Sequence, residues 1–482
     1  MLRDSNTDDV LMHIIEPLFS YTENLEVAPL LSSGWQMSDD GRRYDVGLRR
    51  GVLFHNEAPL TADIVAWNIQ RYLDPETGWI CRSLFDGSRG LRLAAVEVTA
   101  EDSIRFTLEE PDSSFLHKLA NLQCNMGIVH PDSLDADGEW VTPIGTGPFK
   151  LDEWRAGEFV EMSRNPEYAP VQSPRDGLAG NRSPQVQTVR WVVVPEPAAA
   201  RAGLLSGQLD LVTKLQPADL FDLKYASDIR IHRGVSLDWN VLLMQTEGTV
   251  LDDIALRRAI AHAVDADTLA EITAGQGSEA NPAIIQPTSS FHRSCMKAGH
   301  VYDPELARQW LSRSAYAGQP LTLMANKRFP AMFENAIIIQ HMLKEAGIST
   351  QLEIVEWTTQ LDYYARGDFE LMSFGYTGRT HPLLSYSVIL GSKSDNPMMQ
   401  WEDPISLAYL ADIERGSDDE RMVDQLCELH DRMIDQAPLL NLFNAMAIDA
   451  HVDSVSGYQT TTFNKPRLWG VAIDAETRTS AR

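Results

Sequence analysis

Three side chains of types that can bind transition-metal ions lie close together in the second half of the chain. His292, Cys295 and His300 fall within the segment FHRSCMKAGH. Imidazole and thiolate groups suit zinc, copper and nickel. Their spacing, however, matches no structural zinc pattern, and a fourth ligand is not evident in the sequence. We therefore predict no metal site here and interpret the segment as a loop.

A glycine-rich turn at residues 144–149, IGTGPF, is the second candidate for chemistry, because the N–H groups of such turns can hold phosphate. The turn lacks the Lys-Ser/Thr of a P-loop and the GxGxxG of a dinucleotide site. We interpret it as a structural turn that leads into a strand. Elsewhere no HExxH or GxSxG motif and no Ser/His/Asp order stands out. The sequence thus predicts a binding protein rather than an enzyme, without a cofactor.

The charge balance excludes several classes of partner. The chain has 41 basic and 68 acidic residues, a formal net charge of -27. Such a charge repels nucleic acids and anionic membrane surfaces. No apolar run of about 18 residues exists that could span a membrane. With 482 residues, the chain is long enough for two or three domains.

Four cysteines are present, and none forms a CxxC pair. Cys427 lies on the apolar side of a helical pattern at 422–433, so we predict a small buried apolar side chain there. The other three, Cys81, Cys124 and Cys295, allow one disulfide in an oxidising compartment. The sequence does not decide which of them would pair.

An α/β fold must position these residues, because short strands and helices alternate along the chain without a repeat. Residues 38–73 show the pattern. A turn ends at Gly41, a half-buried strand follows at 44–48, and a helix begins after its N-cap Thr61. His55 lies in the loop between strand and helix. The stretch could be catalytic, but its turn and cap signals favour scaffold.

Further elements follow from local patterns. Residues 96–111 predict two strands around an acidic turn, and 187–197 is apolar enough for a central strand buried on both faces. Asp253 is a predicted helix N-cap. The remaining predictions are a helix, a stop at Gly207 and a short strand within 198–212, helices at 303–313, 330–346 and 418–436, and strands at 351–357 and 369–376.

Five segments carry a likeness to a known family. They are EPLFSYTENLEVAPLLSSGWQMSDDGRRYDVGLRRGVLFHNEAPLTADIVAWNIQRYLDP, IGTGPFKLDEWRAGEFVEMSRNPEY, LLSGQLDLV, LDDIALRRAIAHAVDADTL, and YDPELARQWL with MLKEAGI and VSGY. In these segments the chain resembles the family 5 extracytoplasmic solute-binding proteins of ABC importers, of the peptide, opine and nickel type. The segments occur in the family's order across nearly the whole chain. His55-Asn56-Glu57 replaces the family's usual His-Asp-Gly, which alters a surface turn.

The resemblance implies a two-lobed α/β fold of the type II periplasmic-binding-protein class, with an extra domain and a ligand cleft between the lobes. Carried onto this sequence, it predicts hinges near 237–239 and 442–444. The predicted domains are lobe I at 1–26, 146–236 and 446–482, an additional domain at 27–145, and lobe II at 237–445.

The segment FGYTGRTHPLLSY (374–386) bears most directly on the ligand. In peptide-binding relatives an aromatic residue here precedes an acid that pairs with the ligand's α-amine. Tyr376 keeps the aromatic position, whereas Arg379 stands nearest to the acid. A guanidinium attracts carboxylate or phosphate, often through two hydrogen bonds. We hypothesise that Arg379 meets an acidic group of the ligand; alternatively it faces solvent or pairs with an acid such as Asp395.

The first predicted hinge places Trp239 and Asn240 where relatives expose an aromatic and an amide to the ligand. Trp239 could equally be a core residue. Trp357 and Trp401 are weaker candidates of the same kind. A metal chelate also fits the family, and His381 could then add a direct metal ligand. The predicted ligand-binding set is Trp239, Asn240, Tyr376, Arg379, His381 and Trp401.

The implied role is capture of a small peptide-like, opine-like or chelate ligand by lobe closure, and its delivery to the ABC permease. We expect a monomer without nucleic-acid partners. The opening MLRDSNTDDVLMHII lacks the pattern of a secretory leader, and the family's usual first strand is missing before Met1. We therefore expect a periplasmic protein whose leader and first strand are absent from this chain. The alternative is a cytosolic solute sensor or regulator on the same fold.

Overall fold

The computed structural model describes residues 5–88, 91–124, 126–416 and 419–474. The chain divides into two compact units. The first unit comprises Met1–Arg233 and Ile448–Arg482, and the second comprises Gly234–Ala447. No helix in the described part of the chain has the length and apolar character needed to cross a bilayer. The finer division into lobe I and an additional domain stays a prediction.

The strands and helices alternate in chain order, as the α/β prediction requires. The helices are α1 (Ser5–Leu11), α2 (Ala62–Leu73), α3 (Phe115–Leu119), α4 (Pro197–Leu205), α5 (Leu220–Leu223), α6 (Ile254–Ala263), α7 (Ala266–Leu269), α8 (Pro304–Leu311), α9 (Pro330–Glu345), α10 (Trp357–Arg366), α11 (Pro382–Tyr386), α12 (Pro404–Glu414) and α13 (Asp419–Gln436). The strands are β1 (Glu16–Pro17), β2 (Phe19–Tyr21), β3 (Val27–Pro29), β4 (Ser32–Met37), β5 (Arg43–Leu48), β6 (Leu93–Ala100), β7 (Ser103–Leu108), β8 (Gly127–Ile128), β9 (Phe149–Arg155), β10 (Phe159–Arg164), β11 (Thr188–Val192), β12 (Leu211–Val212), β13 (Ile229–Met244), β14 (Leu321–Ala325), β15 (Thr350–Ile354), β16 (Leu371–Tyr376), β17 (Leu439–Val452), β18 (Val455–Ser456) and β19 (Ala472–Ile473).

The first unit contains a four-stranded sheet in the order β4-β5-β7-β6 and a three-stranded sheet in the order β11-β10-β9. The predicted turn before β5 is confirmed, because the Gly41 N–H donates to the Ser38 carbonyl and Gly41 has a φ of 67°. Thr61 caps α2 by accepting the Ile64 N–H at 3.4 Å. These signals are local, and sequence predicts them well.

The GTGPF segment is structural, as predicted. A Cβ at Gly145 or Gly147 would overlap the backbone of His13 and Ile14, so only glycine allows this approach. His55 is bound to the same turn. Its N–H donates to the Gly145 carbonyl at 2.9 Å, and its Nε2 lies 3.1 Å from the Gly147 carbonyl. Burial lowers the pKa of His55 to about 4, so the neutral ring serves as a fixed brace.

The second unit is built on the strand order β17-β13-β16-β14-β15. Strand β13 pairs antiparallel with β16, whereas β14 is parallel to β15 and β16. Alternate residues of β13 enter two apolar clusters: Val241 belongs to one, and Leu242 to the other. Both faces of this sheet are therefore covered by helices and loops. Asp253 caps α6 as predicted, accepting the Ala255 N–H at 2.8 Å.

Three local predictions were wrong or incomplete. The segment 187–197 is not a central strand, because β11 is the edge of its sheet and alternates between exposed and half-buried residues. Cys427 is not a simple apolar side chain, since it forms a disulfide with Cys295, and Cys81 pairs with Cys124. The predicted strand at 351–357 ends at Ile354, and Trp357 opens α10 instead.

The chain passes between the units at two places, and both lie inside long strands. The sequence analysis did not predict the full length of these strands. Strand β13 contains the crossing after Arg233, and β17 contains the crossing after Ala447. The first half of β13 is mostly exposed or half-buried and its second half is mostly buried, so no single periodic pattern extends along it.

Candidate functional site

Two of the predicted ligand residues are direct neighbours in the sheet of the second unit. Trp239 on β13 lies opposite Tyr376 on β16, and their rings stack with centroids 4.6 Å apart and planes 25° apart. The Tyr376 hydroxyl is 3.1 Å from that of Tyr364 on α10. Burial raises the pKa of Tyr376 well above its usual value, so the hydroxyl stays protonated.

The indole of Trp239 has an unsatisfied donor. The residue is 1% exposed, and its Nε1 is buried without a hydrogen-bond partner among the described residues. Buried indole N–H groups usually find an acceptor, and an orphaned one calls for an explanation. A ligand oxygen would supply the missing acceptor.

Asn240 is buried one residue further along β13, opposite Gly375. Its Oδ1 accepts a long hydrogen bond of 3.4 Å from Nδ2 of Asn335, which lies fully buried on α9. In the described part of the chain, the Oδ1 of Asn335 has no hydrogen-bond partner. Carboxamides in this state can donate to or accept from a polar ligand group by modest rotation.

Gly378 fixes the segment that carries Arg379. Its N–H donates to the Asp238 carboxylate at 2.9 Å, and a Cβ there would overlap the backbone and Cβ of Leu237. The chain therefore runs against β13 immediately before Arg379. Gly378 was not predicted as important, although a glycine two residues after the strand end was a signal in the sequence. Asp238 was predicted only as part of the hinge near 237–239.

Arg379 is partly exposed, and its Nη1 donates to the Thr377 carbonyl at 2.6 Å. Burial raises the pKa of Tyr376, and the positive charge of Arg379 opposes that rise. Whether Arg379 meets a ligand or pairs with an acid such as Asp395 stays a prediction.

His381 and Trp401 already use polar atoms within the protein. Nδ1 of His381 accepts the Leu383 N–H at 3.3 Å and caps α11, while its ring contacts the edge of Phe291. Trp401 is 2% exposed and donates from Nε1 to the Gln436 side chain at 2.8 Å. Trp401 shares an apolar cluster with Trp239 and Tyr376, but its only polar atom is engaged.

A network of side-chain amides bonds to β13 and β17, the two strands in which the chain passes between the units. The sequence analysis did not predict this network. Asn281 donates to the Asn444 side chain at 2.9 Å, and Asn441 donates to the Asn281 and Ala283 carbonyls. Gln286 donates to the Leu237 carbonyl at 3.1 Å. The segment 281–286 is thereby tied to both β13 and β17. Single asparagines in a sequence give no signal of such a network.

The soft-ligand side chains of segment 291–300, where no metal site was predicted, have other partners in the structure. Cys295 is in a disulfide, and His300 packs edge-on against His262. Within the described ranges, no group of three or more His, Cys, Asp or Glu side chains is arranged to hold a metal ion. A cavity of about 730 Å³ in the first unit is lined by Arg49 and Arg50, and contains no predicted ligand residue.

Comparison with known proteins gives a consistent result. The family model described as bacterial extracellular solute-binding proteins, family 5 Middle, matches residues 26–397. Heme-binding protein A of Haemophilus influenzae is 24% identical over 480 residues, covering 94% of this chain and 85% of the relative. The periplasmic binding protein DppA from Helicobacter pylori, solved with peptide STSA, has a TM-score of 0.82 at 22% identity, covering 98% of this chain and 94% of that one. AgaA from A.tumefacien R10, solved with agropinic acid, has a TM-score of 0.80 at 20% identity, covering 98% and 95%.

Proposed function

Because the chain belongs to family 5 of the bacterial extracellular solute-binding proteins, we propose that it captures a small ligand with an acidic group through Arg379. The family match confirms the solute-binding prediction for an ABC importer over the sensor alternative. The likeness to solved two-domain binding proteins confirms the predicted fold class. The acidic ligand and the residues that hold it are our proposal.

One observation carries the proposal. Arg379 follows directly on Gly378, which is held against β13 next to the stacked rings of Trp239 and Tyr376. A guanidinium in a fixed position can bind a carboxylate through two parallel hydrogen bonds. The aromatic pair supplies apolar surface beside it, and small-molecule sites commonly combine these two features.

The other predicted residues take supporting roles. The orphaned Trp239 N–H donates to a ligand oxygen, and Asn240 offers a carboxamide on the same strand. His381 is a predicted contact whose Nδ1 is already engaged. Trp401 is the least supported of the set, because its N–H is bonded to Gln436.

The proposed mechanism needs no covalent chemistry, and we propose that the chain is not an enzyme. Ligand binding shifts the population from an open to a closed form, and the permease subunits respond to the closed form. The proposed partners are therefore a peptide-like, opine-like or chelate ligand and an ABC permease, with the binding protein itself monomeric.

The two disulfides support a periplasmic location. Cys81–Cys124 and Cys295–Cys427 use all four cysteines of the chain. Disulfides persist in oxidising compartments and are rare where thiol reductants are abundant. Electrophoretic mobility with and without reductant, on protein taken directly from cells, would test this placement.

Native mass spectrometry of purified protein would identify a retained ligand, and calorimetry would then test the acidic group. Peptide STSA and agropinic acid are suitable first probes. If STSA binds, its C-terminal amide should bind at least about tenfold more weakly, whereas its N-acetyl form should lose less. A retained ligand without any acidic group would overturn the proposal.

A further inference from the structure

Two histidines outside the proposed ligand site meet end to end on the strands that carry the chain crossings. His232 lies on β13 and His451 on β17, both within the first unit. Their Nε2 atoms are 2.9 Å apart, with ring centroids separated by 5.0 Å and ring planes inclined by 24°. The rings are thus nearly coplanar and joined by an N–H···N hydrogen bond.

The backbone fixes the tautomer of one ring. Nδ1 of His451 lies 2.8 Å from the Val452 carbonyl, which can only accept, so Nδ1 carries the proton. Nε2 of His451 is therefore unprotonated, and it accepts a hydrogen bond from the Nε2–H of His232. His451 is 4% exposed and held in place, whereas His232 is half-buried. Metal-binding histidines are commonly oriented by this same bond to a carbonyl.

We propose that His232 and His451 form a two-imidazole site for a divalent first-row transition ion of the Cu²⁺ or Ni²⁺ class. The 2.9 Å separation is that of the hydrogen bond between the rings, and metal binding replaces this bond. Neutral imidazole nitrogen suits both ions, and the affinity of nitrogen sites for divalent first-row ions rises through Ni²⁺ to a maximum at Cu²⁺.

Binding requires His232 to move, because its Nε2 lies where the His451 lone pair points. Its proton moves from Nε2 to Nδ1, and the half-buried ring swings aside by about 2 Å so that both nitrogens bond one ion at about 2.0–2.1 Å. Both rings stay neutral, so no net proton is released at neutral pH. Burial, followed by the neighbouring His451, lowers the pKa of His232 and keeps it available as a ligand. Water completes the coordination.

The surroundings favour a cation without competing for it. Asp449 is close enough to raise the pKa of His232, but its oxygens accept from the Tyr458 hydroxyl at 2.7 Å and the Lys214 N–H at 3.0 Å. The Tyr458 ring lies edge-on to both imidazoles. Arg230 on β13 is neutralised by Asp453. A bound ion would link β13 to β17, the strands that cross between the units.

The test uses the full chain without a histidine tag, stripped of metal by a chelator. Cu²⁺ and Ni²⁺ are titrated by calorimetry, and the Cu²⁺ form is measured by electron paramagnetic resonance. We expect one ion per chain and hyperfine coupling from two equatorial nitrogens. His232→Asn and His451→Asn should each weaken binding by more than about tenfold, and the double variant should lose little more.

A second histidine pair in the chain provides the control. His262 and His300 have centroids 5.2 Å apart, but their planes are at 87° and Nδ1 of His262 is bonded to the Val301 carbonyl. His262→Asn should leave the affinity unchanged. Three results would each overturn the proposal: binding retained in the double variant, copper spectra without hyperfine coupling from two nitrogens, or no binding at millimolar ion concentrations. The wild-type spectrum decides the matter if a variant fails to fold.

Discussion

The two units bury different kinds of polar group. In the core of the first unit, ionised side chains pair with each other: Asp9 with Lys465 at 2.7 Å, and Asp112 with Lys118 at 2.5 Å. In the second unit, neutral carboxamides are the most common buried polar side chains, such as Asn326, which donates to Gln360 at 2.7 Å. The second unit also contains the ion pair Asp403–Arg432, but the Arg432 side chain is 27% exposed and so is not part of the core.

The first unit therefore has the character of a fixed scaffold, and the second unit that of a region suited to binding. A buried ion pair strongly penalises the loss of either partner, so it holds one arrangement. A carboxamide offers both donor and acceptor and carries no charge, so it can change partner at lower cost. The residues proposed to meet the ligand lie in the second unit, among such amides.

The largest expected effect is the removal of one buried charge from the first unit. Asp9→Asn leaves the Lys465 ammonium buried without its counter-ion and also removes the partner of Lys214. We expect a loss of about 3–5 kcal/mol in the free energy of unfolding, measured by urea titration. The exposed Arg50–Asp102 pair is the matched control, and Asp102→Asn should cost less than about 1 kcal/mol. Equal losses would remove the contrast between the units.

Gly378→Ala should be the most damaging single change in the second unit. The new Cβ would collide with Leu237 backbone, so the segment carrying Arg379 must shift. We expect about 3 kcal/mol of lost stability and at least about tenfold weaker ligand binding by calorimetry. Gly375→Ala is the control, because its Cβ meets the flexible Met332 methyl at 3.0 Å and the Trp239 carbonyl oxygen at an ordinary contact distance of 3.6 Å. Similar losses in both variants would show that glycine content, not the Leu237 contact, matters.

Acid should weaken the first unit through His13. Burial lowers the pKa of this fully buried histidine to about 3, from 6.5 in the unfolded chain. Between these values the unfolded state binds more protons, so stability falls as pH drops below 6.5. From pH 7 to pH 5 the loss should be about 2 kcal/mol larger in the wild type than in His13→Gln. Parallel pH profiles would contradict this assignment.

The smallest effect is expected at Trp401. Phenylalanine there removes the hydrogen bond to Gln436 and some buried ring surface, at a cost of about 1–3 kcal/mol in stability. Ligand affinity should change less than about twofold, whereas Trp239→Phe should weaken binding more because the unpartnered N–H is lost. A large affinity loss in Trp401→Phe would return this residue to the ligand site.

Local elements were predictable from sequence, whereas contacts between distant segments were not. Thr61 and Asp253 each cap the helix that begins at the next residue. The local sequence is therefore enough to predict where these helices start. The pairing of Trp239 with Tyr376 joins strands that are far apart in sequence, and the family resemblance suggested only that both residues contact the ligand. The Cys295–Cys427 disulfide and the edge position of β11 depend on tertiary packing, which periodicity does not encode.

The most direct test of the account is the affinity of Arg379→Ala for the native ligand. Ligand released by denaturing the purified wild-type protein is identified by mass spectrometry and titrated into both proteins by calorimetry. We predict that this ligand carries a carboxylate or phosphate and that Arg379→Ala binds it at least about tenfold more weakly. Unchanged affinity in Arg379→Ala would contradict the proposed recognition of an acidic group.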